Sequence, residues 1–410
     1  MSIVVPFKAL RPQAQFAKQV ASRPYDVLNS AEAKVEARGN PNSFLHITKS
    51  EIDLPESTDI HSKVVYEKAH ENLRAFIQRG VLFRDDKPCY YIYRLVMDGR
   101  SQTGIVCGSS VDDYENDVIR KHEFTRPEKE QDRINHIMTT GAQTGNVFLA
   151  YRNVAEIDEL VEAWKVKHSP VYDFVAEDGI GHTIWVISSE TTINKLRKLF
   201  DEKVPCTYIA DGHHRAASAA KVRQELGSKK TDGSNYFLTT LFPAKELKIL
   251  DYNRVVKDLN GLTEEQLIES LSAQFKITPS EEAVAPSQLH QFGMYLNKQW
   301  YLLEAVEGTY TEDPIGILDV TILSDNILAK YLGIQDQRTD KRIDFVGGIR
   351  GVRELERRVD SGEMQLAFSL YPVSIEQLFN IADSGNVMPP KSTWFEPKLR
   401  DGLLTHLLED

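Results

Sequence analysis

The sequence predicts a mixed α/β protein of the α+β kind, built from more than one compact region. Short apolar, strand-like runs alternate with stretches of helical spacing along the chain. Its 410 residues exceed what one ordinary domain holds. Apolar residues at 41% and charged residues at 27% are close to the average globular protein, so a packed core is available.

The first strand is expected within Ile3–Phe7, followed by a helix around Ser30–Arg38 with Ser30 as its N-cap and Gly39 as its stop. Ser43–Thr48 reads as a short strand. Val65, Ala69, Leu73, Phe76 and Ile77 fall near helical spacing and mark a helix ending at Gly80. Two strand-like runs, Cys89–Val96 and Thr103–Cys107, flank an Asp98-Gly99 pair that reads as a hairpin turn. Helical pattern returns at Arg126–Thr139. Val147–Tyr151 and His182–Ile187 read as buried strands, with a helix at Val154–Lys165 after the first and another at Ile193–Phe200 after the second. A strand at Thr207–Ala210, an Ala-rich helix at Arg215–Leu226 and a strand run at Tyr236–Phe242 complete this part.

Past Gly261 the texture changes, which places a boundary near 260 and divides the chain into regions 1–260 and 261–410. A helix at Glu264–Phe275 leads to the most linker-like stretch, residues 279–286. A hairpin-like pair at Met294–Leu296 and Trp300–Leu303 follows. Helices are expected near Asp319–Leu332, Gly347–Val359 and Ser374–Ala382, with a strand at Gln365–Tyr371. The tail, Met388–Leu404, is too specific in composition for a disordered end.

Lys and Arg number 49 against 60 Asp and Glu, a formal charge of −11. So acidic a chain lacks the basic footprint needed for nucleic acid or anionic membrane. Three scattered cysteines, Cys89, Cys107 and Cys206, are too few for a disulfide framework or a Cys-rich zinc site. The start has no signal-peptide pattern and no run is apolar enough to span a bilayer, so a cytoplasmic location is expected.

The sharpest local feature is Tyr208-Ile-Ala-Asp211-Gly212-His213-His214-Arg215, a short strand running through a tight polar turn into a helix of small residues. Gly212 permits a tight turn or close backbone approach. A helix start presents unpaired N–H groups and a positive dipole end, and Arg215 adds a fork of donors, a set suited to phosphate. An Asp-capped helix with two histidines in its first turn is the bland alternative. Adjacent histidines point about 100° apart on a helix, which disfavours a zinc site there.

Lys121-His-Glu123-Phe-Thr-Arg126-Pro127 forms a second cluster, with Pro127 suited to a first helical turn. Glu123 is a candidate general base and Arg126 a candidate anion ligand; the alternative is a solvated helix entry. Met388-Pro-Pro-Lys391-Ser392-Thr393-Trp394-Phe395 is a proline-stiffened loop whose Lys391, Ser392 and Thr393 could reach phosphates, or whose aromatic residues could clamp it on the core. Arg342, Arg350 and the Gly347-Gly348 turn make a weaker basic cluster. Asp26, in the stiff Arg23-Pro-Tyr-Asp-Val loop, is a candidate pocket carboxylate or simply a turn former.

These motifs, with Gly39-Asn-Pro-Asn-Ser-Phe-Leu-His46 and Asp340-Lys-Arg-Ile-Asp344, resemble in identity and order a prokaryotic family known only as the domain of unknown function DUF-1015 (DUF1015). The Asp-Gly-His-His-Arg turn is also similar to the phosphate-binding turn of the ParB/sulfiredoxin-like group, within which the free-serine kinases carry the same five residues. That resemblance implies a ParB-like nucleotide-binding core, with phosphate contacts at Gly212, His213, His214 and Arg215. It also implies a role for Asp211 near a metal or a substrate hydroxyl. The chain departs from the ParB pattern: Glu123-Phe-Thr-Arg126 precedes the turn and lacks the Asn of the Glu-Asn-x-x-Arg box.

The implied activity is a kinase, transferring phosphate from ATP or ADP, with Mg²⁺, to the hydroxyl of a small metabolite, free L-serine first. Asp211 or Glu123 would take the proton, while Arg215 and Lys391 hold developing charge. Ser392 and Thr393 would add nucleotide contacts. Arg126 or Arg350 would meet the substrate carboxylate, and Asp26 or Glu123 its ammonium. The alternative is a ParB-like nucleotide-binding switch or regulatory protein without phosphoryl transfer.

Overall fold

The computed structural model describes residues 1–409 and is a mixed α/β structure, as the alternating pattern predicts. Two compact units share the chain: Met1–Leu247 together with Pro397–Asp410, and Lys248–Glu396. The division therefore falls earlier than the boundary expected near 260, because the strand Tyr252–Val256 pairs within the second unit's sheet. The last residues return to the first unit.

The first unit is organised on a nine-stranded sheet. Its strands are β1 (Val4–Val5), β2 (Tyr90–Met97), β3 (Arg100–Ser110), β4 (Ile119–Arg120), β5 (Val147–Tyr151), β6 (Tyr172–Val175), β7 (Gly181–Ile187), β8 (Thr207–Asp211) and β9 (Tyr236–Pro243). They lie in the order β4-β8-β5-β9-β3-β2-β7-β6, with β1 beside β3. The pairs β4–β8 and β5–β9 are parallel and the others antiparallel. The β2–β3 hairpin turns through Asp98 and Gly99, both at positive φ, the geometry favoured by an Asp-Gly pair.

Five longer helices accompany the sheet: α1 (Lys63–Gln78), α2 (Pro127–Thr140), α3 (Ala155–Lys167), α4 (Glu190–Lys203) and α5 (His213–Leu226). One core gathers Ile105, Leu149, Ile157, Leu196, Phe200 and Ile209, and the small residues Ala216, Ala219 and Ala220 of α5 pack into it. A second cluster joins Leu10, Val20, Phe44, Ile47, Leu73 and Phe76. This cluster explains one departure from expectation. Ser43–Thr48 is not a strand; Leu45–Thr48 is a short helix. Phe44, Leu45 and Ile47 are all buried with His46 between the last two, a run too short to separate strand from helix by its pattern. Asn29, rather than Ser30, caps the helix Ser30–Glu36, in a capping box with Glu32.

The second unit carries a six-stranded antiparallel sheet of β10 (Tyr252–Val256), β11 (Phe275–Ser280), β12 (Gln291–Leu296), β13 (Gln299–Ala305), β14 (Ile343–Gly347) and β15 (Leu366–Leu370), in the order β11-β13-β12-β15-β10-β14. Pro279 is accommodated because β11 is an edge strand. The linker-like stretch that begins there is thus partly strand and lies inside the unit. The helix expected from Gly347 begins at Val352, after β14 and the positive-φ Gly351. No helix among the described residues is long and apolar enough to cross a membrane.

Candidate active site

The site starts from a break in β8. Tyr208, Ile209 and Ala210 are buried, and the pairing with β5 slips register between Ile209 and Asp211, so the strand's last carboxylate is re-aimed. Gly212 follows at φ +96°, a conformation that residues with a side chain rarely adopt, and α5 begins at His213. No side chain caps this helix. Its Ala-rich face reaches the core, and Ser218 on it donates to the Glu130 carbonyl of α2 at 3.1 Å.

The two histidines hold the neighbouring loop to the helix start. His213 Nε2 accepts from the His122 N–H at 3.5 Å, and His214 Nε2 accepts from the Arg126 N–H at 3.0 Å. His213 and His122 also stack edge to face at 4.6 Å between ring centres. With Nε2 accepting, the His213 proton sits on Nδ1, 3.6 Å from Glu123 Oε2. Burial, and then the nearby His122, push His213 well below the usual imidazole range, and burial holds His122 down at about 4. Burial also lowers His214. All three rings are therefore neutral near pH 7. The imidazoles expected at phosphate are engaged with the 122–126 loop, and the Arg215 and Ala216 N–H groups donate to the Gly212 carbonyl at 2.9 and 3.1 Å, so the helix start offers an anion the backbone N–H groups of His213 and His214.

Arg215 is likewise engaged. Its guanidinium is buried, pairs with Asp26 at 2.6 Å and donates to the Asn146 carbonyl at 2.5 Å. Tyr25 lies between two cations, its ring 5.5 Å from Arg215 and 3.9 Å from Arg133. Gly145 makes room, since a Cβ there would sit 3.2 Å from Arg215 Cδ. The cavity beside this network, lined by Tyr25, Arg133, His136, Gly145 and Arg215 among others, measures only about 20 Å³, room for about one water. Asp26, Glu123 and Arg126 are each exposed, so a larger ligand can reach them from solvent.

Sequence reasoning missed the residues that the tail contributes. Lys398 Nζ lies 2.9 Å from Asp211 Oδ2. Burial pushes the Asp211 carboxyl up, but Lys398 and then Arg215 hold it well below the usual carboxylate range. Further on, Arg400 pairs with Asp178 and Asp401 exchanges backbone hydrogen bonds with Ser22. Gly402, at φ +88°, packs where a Cβ would strike Phe44 at 2.6 Å. Asp401 is 2% exposed and neither carboxyl oxygen makes a well-formed hydrogen bond, so burial drives it up to about 7. Only the Pro-Lys-Leu-Arg-Asp charge pattern hinted at these roles.

The structure thus brings together Asp26, Glu123, Arg126, Asp211, Gly212, His213, His214 and Arg215 in the first unit. Lys391, Ser392, Thr393 and Arg350 belong to the second. There Lys391 stands at φ +56°, with Nζ 5.8 Å from the Tyr252 ring. Ser392 is buried and donates to the Pro389 carbonyl at 2.6 Å, Thr393 is half-buried, and Arg350 is exposed 4.0 Å from Glu354. Among the described residues, no three His, Cys, Asp or Glu side chains are gathered to hold a metal ion by themselves.

The family model described as "Protein of unknown function (DUF1015)" matches residues 4–321, so the Asp340–Asp344 and Met388–Lys398 motifs lie beyond the matched stretch. A search of curated proteins gave no match. Among solved structures, the chain is similar to a conserved hypothetical protein from Pyrococcus furiosus (15% identity, 73% of this chain and 94% of that one, TM-score 0.35). It is also similar to a free serine kinase in complex with AMP (14%, 73% and 92%, TM-score 0.36). A third is SbnI with C-terminal truncation from Staphylococcus aureus (10%, 72% and 85%, TM-score 0.37). Superpositions this loose carry nothing about chemistry.

Proposed function

This chain belongs to the DUF1015 family, and we propose that it is a nucleotide-dependent kinase of a small hydroxyl metabolite, with free L-serine as first candidate and O-phospho-L-serine as product. The observation that carries the reading is the convergence at one turn. An uncapped helix start after Gly212 stands beside three carboxylates, Asp26, Glu123 and Asp211, and the exposed Arg126. Helix N–H groups suit a phosphate, and a half-exposed carboxylate at the same turn suits proton removal. The likeness of Asp211–Arg215 to the turn of free-serine kinases puts serine ahead of other hydroxyl acceptors.

In this reading Asp211 or Glu123 accepts the hydroxyl proton, and the α5 start and Arg126 bind anionic groups. Arg215 acts through Asp26, fixing the carboxylate available to a substrate ammonium. Mg²⁺ is held by one or two carboxylates together with phosphate oxygens and waters, so the absence of a three-ligand cage does not conflict with it. With Asp211 taking the proton and Asp26 meeting the ammonium, Glu123 would hold the ion together with phosphate oxygens and waters, and the ion would supply charge neutralisation on the phosphates.

The test is a thermal-shift panel of ATP, ADP, CTP and inorganic phosphate with Mg²⁺. A rise with ATP or ADP is expected. A response to CTP alone would favour a nucleotide switch, and no nucleotide response would sink the kinase reading.

A further inference from the structure

We propose that Lys398 is a phosphate-binding residue, held by Asp211 until a nucleotide arrives, and that its move to phosphate frees Asp211 to take the acceptor's proton. This rests on the kinase reading of the same site. Lys398 follows Pro397 and precedes a segment fixed in place: Leu399 is buried, the Arg400 N–H donates to Tyr93 Oη at 3.3 Å and Asp401 is bridged to Ser22. Movement of the ammonium is thereby confined to its own flexible stem. The side chain keeps 19% of its surface exposed, and Nζ lies 2.9 Å from Asp211. The uncapped helix start lies one to two residues along the chain from that carboxylate. A phosphate on the α5 N–H groups therefore falls within reach of Nζ, and competes with Asp211 for it.

The exchange solves a chemical difficulty. Paired with Lys398, Asp211 is held too far down to be an effective base near neutral pH. Losing that partner to phosphate raises it while the nucleotide is bound, linking base activation to nucleotide occupancy. In the step that follows, the acceptor hydroxyl oxygen bonds to the terminal phosphorus of a nucleoside polyphosphate. The bond from that phosphorus to the bridging oxygen breaks, its electron pair leaves with the nucleotide, and the hydroxyl proton passes to Asp211.

The experiment is calorimetric titration of ADP with Mg²⁺ into the full chain and into Lys398→Met, Lys398→Arg, Asp211→Asn and the Lys398→Met/Asp211→Asn double variant. Lys398→Met should weaken ADP roughly tenfold or more, the scale of a lost charge-assisted hydrogen bond, and Lys398→Arg should restore part of it. Asp211→Asn removes the competitor and should tighten ADP, with the gain shrinking when Lys398 is already replaced. If Lys398→Met fails to fold, Lys398→Gln takes its place. Wild-type affinity in Lys398→Met, or equal weakening in both single variants, would overturn the proposal. A wild-type chain that binds no ADP would instead remove the kinase reading beneath it.

Discussion

Arg215→Ala separates a working site from a decorative turn. In the folded chain the guanidinium makes two charge-assisted contacts, to Asp26 at 2.6 Å and to the Asn146 carbonyl at 2.5 Å. Each is worth about 1.5–3 kcal/mol. Asp26 is 39% exposed at its side chain, so it regains water when its partner goes and adds no full burial penalty. The truncation also enlarges a cavity already present beside Tyr25 and Gly145. The net loss should be about 2–4 kcal/mol, read as a lower urea midpoint by circular dichroism. Arg215→Lys keeps the charge without the fork and should fall between. At a temperature where the variant is folded, ADP affinity should drop as well, because Arg215 anchors the helix start to Asp26 and to the Asn146 carbonyl. A stability loss under about 1 kcal/mol together with unchanged ADP affinity would refute this account of Arg215.

Other predictions follow from neighbouring groups. Asp401, raised to about 7 by burial among Arg215, Asp26 and Arg133, binds a proton in the folded chain that the unfolded chain releases near its ordinary value of 3.8. Its contribution to stability is therefore present below about pH 4 and declines as pH rises through about 7. Asp401→Asn should gain on wild type between about pH 5 and about pH 8 in urea titrations; a gap that does not widen with pH removes Asp401 as the source. Gly212→Ala forces a side chain onto φ +96°, though its Cβ would meet Val147 Cα only at 3.4 Å. A loss of about 1–2 kcal/mol from backbone strain alone is expected, and a neutral result would count against the strained turn.

Much of the first unit's sheet and the turn were legible because their signals are local. The Asp98-Gly99 pair marks a hairpin by its φ requirement alone, and the strand–Gly–helix order at 207–226 is visible in hydrophobic pattern and composition. What stayed hidden depends on long-range pairing. The bonds from His213 and His214 to His122 and Arg126 join segments far apart in sequence, yet the two histidines read as phosphate ligands. Lys398 could not be matched to Asp211 across 187 residues. The division between the units is hidden because β10 gives no compositional break before it pairs with β14 and β15. The Ser43–Thr48 segment is ambiguous for a different reason: Phe44, Leu45 and Ile47 are buried together in a run too short for either periodicity to stand out.

Phosphorus NMR of the purified full chain with Mg²⁺, ATP or ADP, and a panel of hydroxyl metabolites tests the proposed activity most directly. The account predicts an O-phosphoserine resonance from L-serine that grows with time, and its loss in Asp211→Asn, which keeps the shape of the carboxylate and removes its charge. The absence of any phosphorylated product from serine with either nucleotide would contradict it.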